Sequence, residues 1–237
     1  MQQISSPKEY NFIKGETLFI NKPYSWTSFN VVSSIRYFLK HHYNIKRIKV
    51  GHAGTLDPLA TGLLIICTGK STKKIEEYQC LEKEYTGTFI IGITTPSYDS
   101  ETEPDKTFPV NHITAELLYK TAKSFLGEQE QYPPKFSAIK IDGKRAYEYA
   151  RENKEVKIKA RTINISEFKI TQIELPQIKF KIICSKGTYI RAIARDFGRA
   201  LNSGAYMSSL VRTRIGNYKL EDAFELEKIK EILKSKK

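Results

Sequence analysis

The segment Gly51-His52-Ala53-Gly54-Thr55-Leu56-Asp57-Pro58-Leu59-Ala60-Thr61-Gly62 concentrates the features of this sequence that could carry chemistry. Three glycines in twelve residues permit tight turns and the close approach of a ligand to backbone. Among them stands one carboxylate, Asp57, a group able to act as a covalent nucleophile or to stabilise developing positive charge. A simpler reading competes: Asp followed by Pro is a common N-cap and first-turn pair, in which the carboxylate only satisfies helix N–H groups.

Other chemistries find no support. Gly69-Lys70-Ser71 suggests a phosphate-binding loop, but position 64, where its first glycine belongs, is Leu64. No G-x-G-x-x-G, H-E-x-x-H or G-x-S-x-G motif is present. His41, His42, His52 and His112 lack metal-ligand spacing, and Cys67, Cys80 and Cys184 form no C-x-x-C pair. Neither a metal site nor a disulfide framework is expected, and a reducing compartment fits.

The elements that position these residues follow from pattern. Glu16–Ile20 reads as a strand, and Ser25 or Thr27 can cap a helix with Phe29, Val32, Ile35 and Leu39 on one face. Lys83–Ile93 alternates Tyr85, Phe89, Ile91 and Ile93 onto one side of a strand. Thr114–Leu126 reads as an amphipathic helix ended by Gly127. Val156–Cys184 reads as strands broken near Pro176, and Ile190, Ile193, Ala194, Phe197 and Leu201 form a helical stripe. A last helix is expected near Asp222, with Glu225 completing a capping-box pattern. Strands and helices mix without βαβ alternation, which favours an α+β fold with a mainly antiparallel mixed sheet. With no linker in sight, residues 16–237 read as one domain behind an N-terminal arm, 1–15.

Length and charge bound the function. A chain of 237 residues can bury roughly 70–75% of its unfolded surface. The 39 Lys and Arg exceed the 26 Asp and Glu, a formal net charge of +13, which favours a polyanionic partner, nucleic acid first and a membrane surface second. The longest strongly apolar run, Leu63–Cys67, is far too short to span a membrane. The start of the chain is polar and lacks a signal-peptide core.

The Gly51–Gly62 segment resembles the catalytic motif of the TruB family of tRNA pseudouridine synthases, whose catalytic residue corresponds to Asp57. Further resemblances follow in the family's order. Asn21-Lys22-Pro23 with Trp26-Thr27-Ser28 is similar to its N-terminal Lys-Pro motif. Lys83-Glu84-Tyr85 resembles the motif whose tyrosine, in the family, stacks on the target base, Cys184-Ser185-Lys186-Gly187-Thr188-Tyr189-Ile190-Arg191 looks like the third motif, and Leu210 matches a pocket-lining leucine. The likeness runs from about residue 16 to 215.

The resemblance implies a pseudouridine synthase fold, its central sheet flanked by helices and carrying an RNA-clamping insertion near 133–155. It also implies a reaction: a uridine of the tRNA T-loop, position 55 in tRNA numbering, is flipped out and isomerised without metal or cofactor. Asp57 would be the catalytic carboxylate, Arg191 the guanidinium that orients it, and Tyr85 a stacking group or proton acceptor. Tyr189, His52, Lys22, Leu210, Lys73 and Asp99 would line the pocket or contact the RNA. Between Lys135 and Arg161 nine basic residues stand against four acids, with Tyr147 and Tyr149 interleaved, a run that alone reads as a solvated charged face and that the resemblance assigns to an RNA clamp. Two departures stand out. Phe136 replaces a tyrosine usual in the family, and only 22 residues follow Ile215, too few for the C-terminal RNA-binding module of many relatives. A cytoplasmic monomer acting on tRNA, with no membrane and no required protein partner, is the expectation. Alternatives are a synthase for another structured RNA, or a non-catalytic RNA-binding or RNA-folding protein of the same fold.

Overall fold

A computed structural model describes residues 10–234 except 138, 142, 153, 155 and 157. In chain order it contains β1 (Thr17–Lys22), α1 (Ser28–His42), β2 (Val50–His52), β3 (Thr61–Thr68) and, after a 3-10 turn at Gly69–Lys74, α2 (Ile75–Cys80). There follow β4 (Lys83–Ile91), β5 (Ile93–Thr94), β6 (Lys106–Thr107), α3 (Ala115–Ser124) and β7 (Gly127–Gln131). Next come β8 (Lys140–Ile141), β9 (Lys144–Arg145), α4 (Ala146–Arg151), β10 (Arg161–Glu174), β11 (Gln177–Cys184) and α5 (Ile190–Ala200). The chain ends with β12 (Ala205–Ile215), β13 (Tyr218–Lys219), a 3-10 turn at Leu220–Asp222, β14 (Phe224–Glu225) and α6 (Leu226–Lys234).

Contacts divide the chain into two compact units: residues 1–81 with 211–237, and residues 82–210. In the first, the strand order is β14-β1-β3-β12, with β2 against β3 and β13 against β12. Pairs β1–β3, β2–β3 and β12–β13 are antiparallel, while β1–β14 and β3–β12 are parallel. The apolar run Leu63–Cys67 lies within β3, which is buried on both faces and therefore shows no polar alternation. Leu64 and Ile66 join Ile20, Val31, Ile35 and Leu39 in one core, whereas Leu63, Ile65 and Cys67 join Ala53 and Ile215 in another.

The second unit orders its strands β12-β4-β11-β10-β7, with β4–β11, β11–β10 and β10–β7 antiparallel. Phe89, Phe168, Phe180 and Phe197 form its aromatic core, the Phe89 and Phe180 ring centroids 4.1 Å apart. The mainly antiparallel mixed sheet of an α+β fold is thus present.

Several boundaries differ from expectation for identifiable reasons. Thr27 caps α1 in a reciprocal box with Asn30, but Phe29 is 62% exposed. The buried stripe is Ser28, Val31, Val32, Ile35, Phe38 and Leu39, and one residue of offset turns Phe29 about 100° away from Ser28. The last helix begins at Leu226 rather than near Asp222. Phe224 and Glu225 pair instead with Ile20 and Asn21, and the Glu225 carboxylate accepts a 2.7 Å bond from Asn21 Nδ2. Tertiary pairing overrides the local capping signal there. Of the expected arm, residues 1–9 lie outside the described residues, while Phe12 is 2% exposed and belongs to the α1 core.

Candidate active site

Strands β2 and β3 form a hairpin whose ends pair His52 with Ile66, so residues 53–60 are the loop between them. Asp57 sits half-buried in that loop. The Ala60 N–H donates to the Asp57 carbonyl at 3.1 Å, and β3 follows at once. No helix starts at Pro58, so the capping explanation of Asp57 is removed.

What fixes the loop is a set of buried donors. Arg212, 1% exposed, donates from Nη2 to Gly54 O at 3.1 Å, from Nη1 to Thr55 O at 3.4 Å, and from Nε to Leu63 O at 2.7 Å. Ser28 Oγ accepts from the Leu56 N–H at 2.9 Å and donates to Leu56 O at 3.2 Å. Lys22, fully buried, donates from Nζ to Pro58 O at 3.1 Å, and to Trp26 O and Pro23 O at 2.5 and 2.8 Å. Every carbonyl from Gly54 to Pro58 therefore has a donor, and Asp57 is held between two clamped neighbours. Gly62 makes the arrangement possible. With φ +107° it lies where an added Cβ would stand 2.4 Å from the Arg212 carbonyl oxygen, so only glycine lets β3 approach β12 there.

The electrostatics are unusual for a hairpin. Burial pushes the Lys22 ammonium down to about 8, with the Arg212 guanidinium adding to the effect and the Asp57 carboxylate opposing it. Burial, then Arg212, also hold His52 below its ordinary value, so its imidazole is neutral at pH 7. Lys73 lies apart from this cluster, exposed in the 3-10 turn at Gly69–Lys74.

The second unit holds the remaining candidates. Arg191, the second residue of α5, is 4% exposed and not a surface charge. Its Nε lies 3.4 Å from the Asp99 carboxylate, and its Nη1 and Nη2 donate to Ser97 O and Phe136 O at 3.1 and 3.0 Å. Asp99 is itself 2% exposed, so it supports a guanidinium instead of presenting an acid to solvent. Phe136 contributes here through its backbone, which needs no hydroxyl. Tyr189 caps α5 and is held by Gln131, whose Oε1 accepts from its N–H at 2.8 Å and whose Nε2 donates to its carbonyl at 3.1 Å. The Arg161 guanidinium lies 5.2 Å from the Tyr189 ring centroid. Tyr85 and Leu210 are buried on β4 and β12. In the expected clamp, residues 138, 142, 153, 155 and 157 lie outside the described residues, and β8, β9 and α4 are the elements described there.

The sequence assigns no role to Arg212 or Gln131, and marks Ser28 only as part of the Trp26-Thr27-Ser28 motif. A signal for Arg212 exists: it shares the strand register of Leu210, so it occupies a core-facing position where an apolar residue belongs.

Comparison with known proteins identifies the family. Residues 40–190 match the family model described as TruB family pseudouridylate synthase (N terminal domain), and residues 191–237 match the tRNA pseudouridylate synthase B C-terminal domain. A protein of Phocaeicola vulgatus named tRNA pseudouridine synthase B is 55% identical over 223 residues, 94% of this chain and 95% of the relative. One of Flavobacterium johnsoniae with the same name is 54% identical over 229 residues, 96% of this chain and 99% of the relative. Among solved structures, a chain of a Cbf5–Nop10–Gar1 complex superposes with a TM-score of 0.70 at 28% identity over 93% of this chain. This chain spans about half, 54%, of that one. On the strength of the family match and of relatives aligned over nearly their whole length, the chain belongs to the TruB family of pseudouridylate synthases.

Proposed function

We propose that this protein converts a uridine of tRNA to pseudouridine, with Asp57 as the catalytic carboxylate and the T-loop uridine at position 55 as the target. The observation that carries the assignment is the clamped loop: every backbone carbonyl from Gly54 to Pro58 is engaged, and Asp57 caps no helix. Such preorganisation suits a group that must meet a reacting carbon in one geometry.

The reaction breaks the C1′–N1 bond of the nucleoside and forms a C1′–C5 bond to the same uracil. N1 gains a proton and C5 loses one, so the product is an isomer. The Asp57 carboxylate attacks or stabilises the electron-poor centre released by glycosidic cleavage. Arg191 is assigned as its charge partner by the motif resemblance, and Asp99 with the Ser97 and Phe136 carbonyls fixes the fork of that guanidinium. Tyr85 and Tyr189 offer ring faces to the flipped base, each such stack contributing about 1–3 kcal/mol, and Leu210 lines the pocket. Neutral His52 packs where the base departs, and Lys22 holds the loop at Pro58. Lys73 and the Lys135–Arg161 region grip phosphates. We extend the reading to a monomer acting in the cytoplasm; among the described residues no helix is long and apolar enough to cross a membrane.

Pseudouridine mapping of an unmodified tRNA transcript after incubation with wild-type protein or Asp57→Asn tests the proposal. One modified T-loop uridine with wild type, none with the variant, and RNA affinity within a few-fold are expected. Loss of affinity in parallel with activity would instead make Asp57 a structural residue. Tight binding with no modification would favour the non-catalytic alternative.

A further inference from the structure

The first unit carries an open cavity of about 550 Å³ lined by Arg36, Lys40, Lys46, Arg47 and Lys49, together with Ile45 and Ile48. Its construction is legible. Arg36 and Lys40 stand one turn apart on α1, and Asn44, with φ +53°, turns the chain out of the helix. Ile45 and Ile48 then pack against the α1 core, which leaves Lys46, Arg47 and Lys49 exposed around the opening. Arg36 Nη2 donates to Val50 O at 3.0 Å and ties the helix to the start of β2.

No carboxylate lines this cavity, and among the described residues none of its five cations forms an ion pair. The surrounding sequence is equally one-sided: residues 17–75 contain nine Lys and Arg and a single acid, Asp57. The Gly69 N–H donates to Lys49 O at 2.9 Å, which joins the cavity to the turn bearing exposed Lys70, Lys73 and Lys74. Like charges gathered without counter-ions repel one another, and an anionic ligand relieves that repulsion.

We propose that this cavity is a second RNA-backbone site, which binds consecutive phosphates of the substrate outside the loop presented to Asp57. The inference rests on tRNA being the substrate. A concave opening ringed by five cations, its two isoleucines half-buried against the core, fits a string of phosphates better than a lipid surface. The position fits too. The cavity adjoins the first residue of β2 and the Asp57 loop leaves the last, a rise of about 7 Å along a three-residue strand. RNA engaged at Asp57 thus brings its flanking backbone within reach.

The test is the salt dependence of tRNA binding by wild type and Lys46→Gln/Arg47→Gln/Lys49→Gln. None of the three altered side chains is buried, and Arg36 is left intact because it bonds backbone. Three lost phosphate contacts reduce the log–log salt slope by about 2 to 3. A control, Lys123→Gln/Lys169→Gln/Lys228→Gln, removes the same charge from exposed positions elsewhere and changes the slope by less than 1. An unchanged slope, or an equal loss in the control, would overturn the proposal. So would loss of binding to phosphatidylglycerol vesicles with tRNA affinity intact. Pseudouridine yield from the wild-type protein on the same transcript reports on the activity independently of this slope.

Discussion

Lys22 gives a prediction whose sign and size both come from the structure. Its ammonium is fully buried, and burial lowers its pKa from 10.5 to about 8. Between those values the unfolded chain still holds the proton that the folded protein has released. Raising the pH through this window therefore favours folding. At about 1.4 kcal/mol for each pKa unit, the gain from pH 8 to 10.5 is about 3 kcal/mol. The wild-type curve alone does not isolate it. Burial raises the Cys184 thiol from 9.0 to about 12, so above pH 9 the folded state keeps a proton that the unfolded state loses, and stability falls.

Comparison with Lys22→Met removes that common contribution. The methionine relieves the cost of a buried cation, about 3 kcal/mol near pH 7, but leaves the Pro23, Trp26 and Pro58 carbonyls without their donor, at about 1 kcal/mol each. The two effects nearly cancel at neutral pH. By pH 10.5, where neutral Lys22 has shed its penalty, the stability of the variant relative to wild type has fallen by about 3 kcal/mol from its value at pH 7. Urea unfolding of both proteins from pH 7 to 10.5 measures the difference. A difference that stays constant within 1 kcal/mol would refute the assignment of a buried, strained ammonium. Activity moves the other way in the wild type: a neutral amine has two N–H groups for three carbonyls, so the Pro58 clamp slackens and kcat/KM declines above pH 8.

Asp99→Asn should lower kcat by 10-fold to 100-fold with KM for tRNA within a few-fold, because a 2% exposed carboxylate acts through Arg191. A raised KM with normal kcat would return Asp99 to the RNA contacts. Gly62→Ala should cost more than 3 kcal/mol in urea unfolding, since its Cβ would stand 2.4 Å from the Arg212 carbonyl oxygen at a left-handed φ; a loss under 1 kcal/mol contradicts the close approach. At pH 8 an aromatic disulfide reagent should titrate one thiol rapidly, exposed Cys80, and reach buried Cys67 and Cys184 only on unfolding. Two fast thiols would show that one of those buried sites opens.

The loop around Asp57 was legible because its information is local. Glycines, a proline and a carboxylate within twelve residues specify the turns directly, and the β3 run announces a strand covered on both faces. Helices α1, α3 and α5 were equally readable from their apolar spacing. What the sequence concealed acts at long range. Arg212 holds carbonyls some 150 residues earlier, Ser28 grips Leu56, and Gln131 clasps Tyr189. None of these pairs has a local signature, and a serine or glutamine offers many equally good local partners. The start of α6 was misplaced for the same reason, because a two-residue parallel pairing with β1 outcompetes a capping pattern that is sound on local grounds.

The energetics separate the site from the scaffold. A methionine-like side chain at position 22 would spare the fold a desolvated cation, and an apolar residue at 212 would suit the register of β12. Both positions instead carry charge at 0–1% exposure, and each directs at least one of its hydrogen bonds to a carbonyl of the segment Gly54–Pro58. Arg191 and Asp99 repeat the pattern in the second unit, a buried pair where hydrophobic residues of similar volume would often be at least as stable. A fold selected for stability alone has no reason to place such groups around one hairpin loop and one helix start. Their expense is explained if they hold Asp57 and Arg191 in fixed geometry, since positional accuracy is what a carboxylate reacting at a single carbon requires.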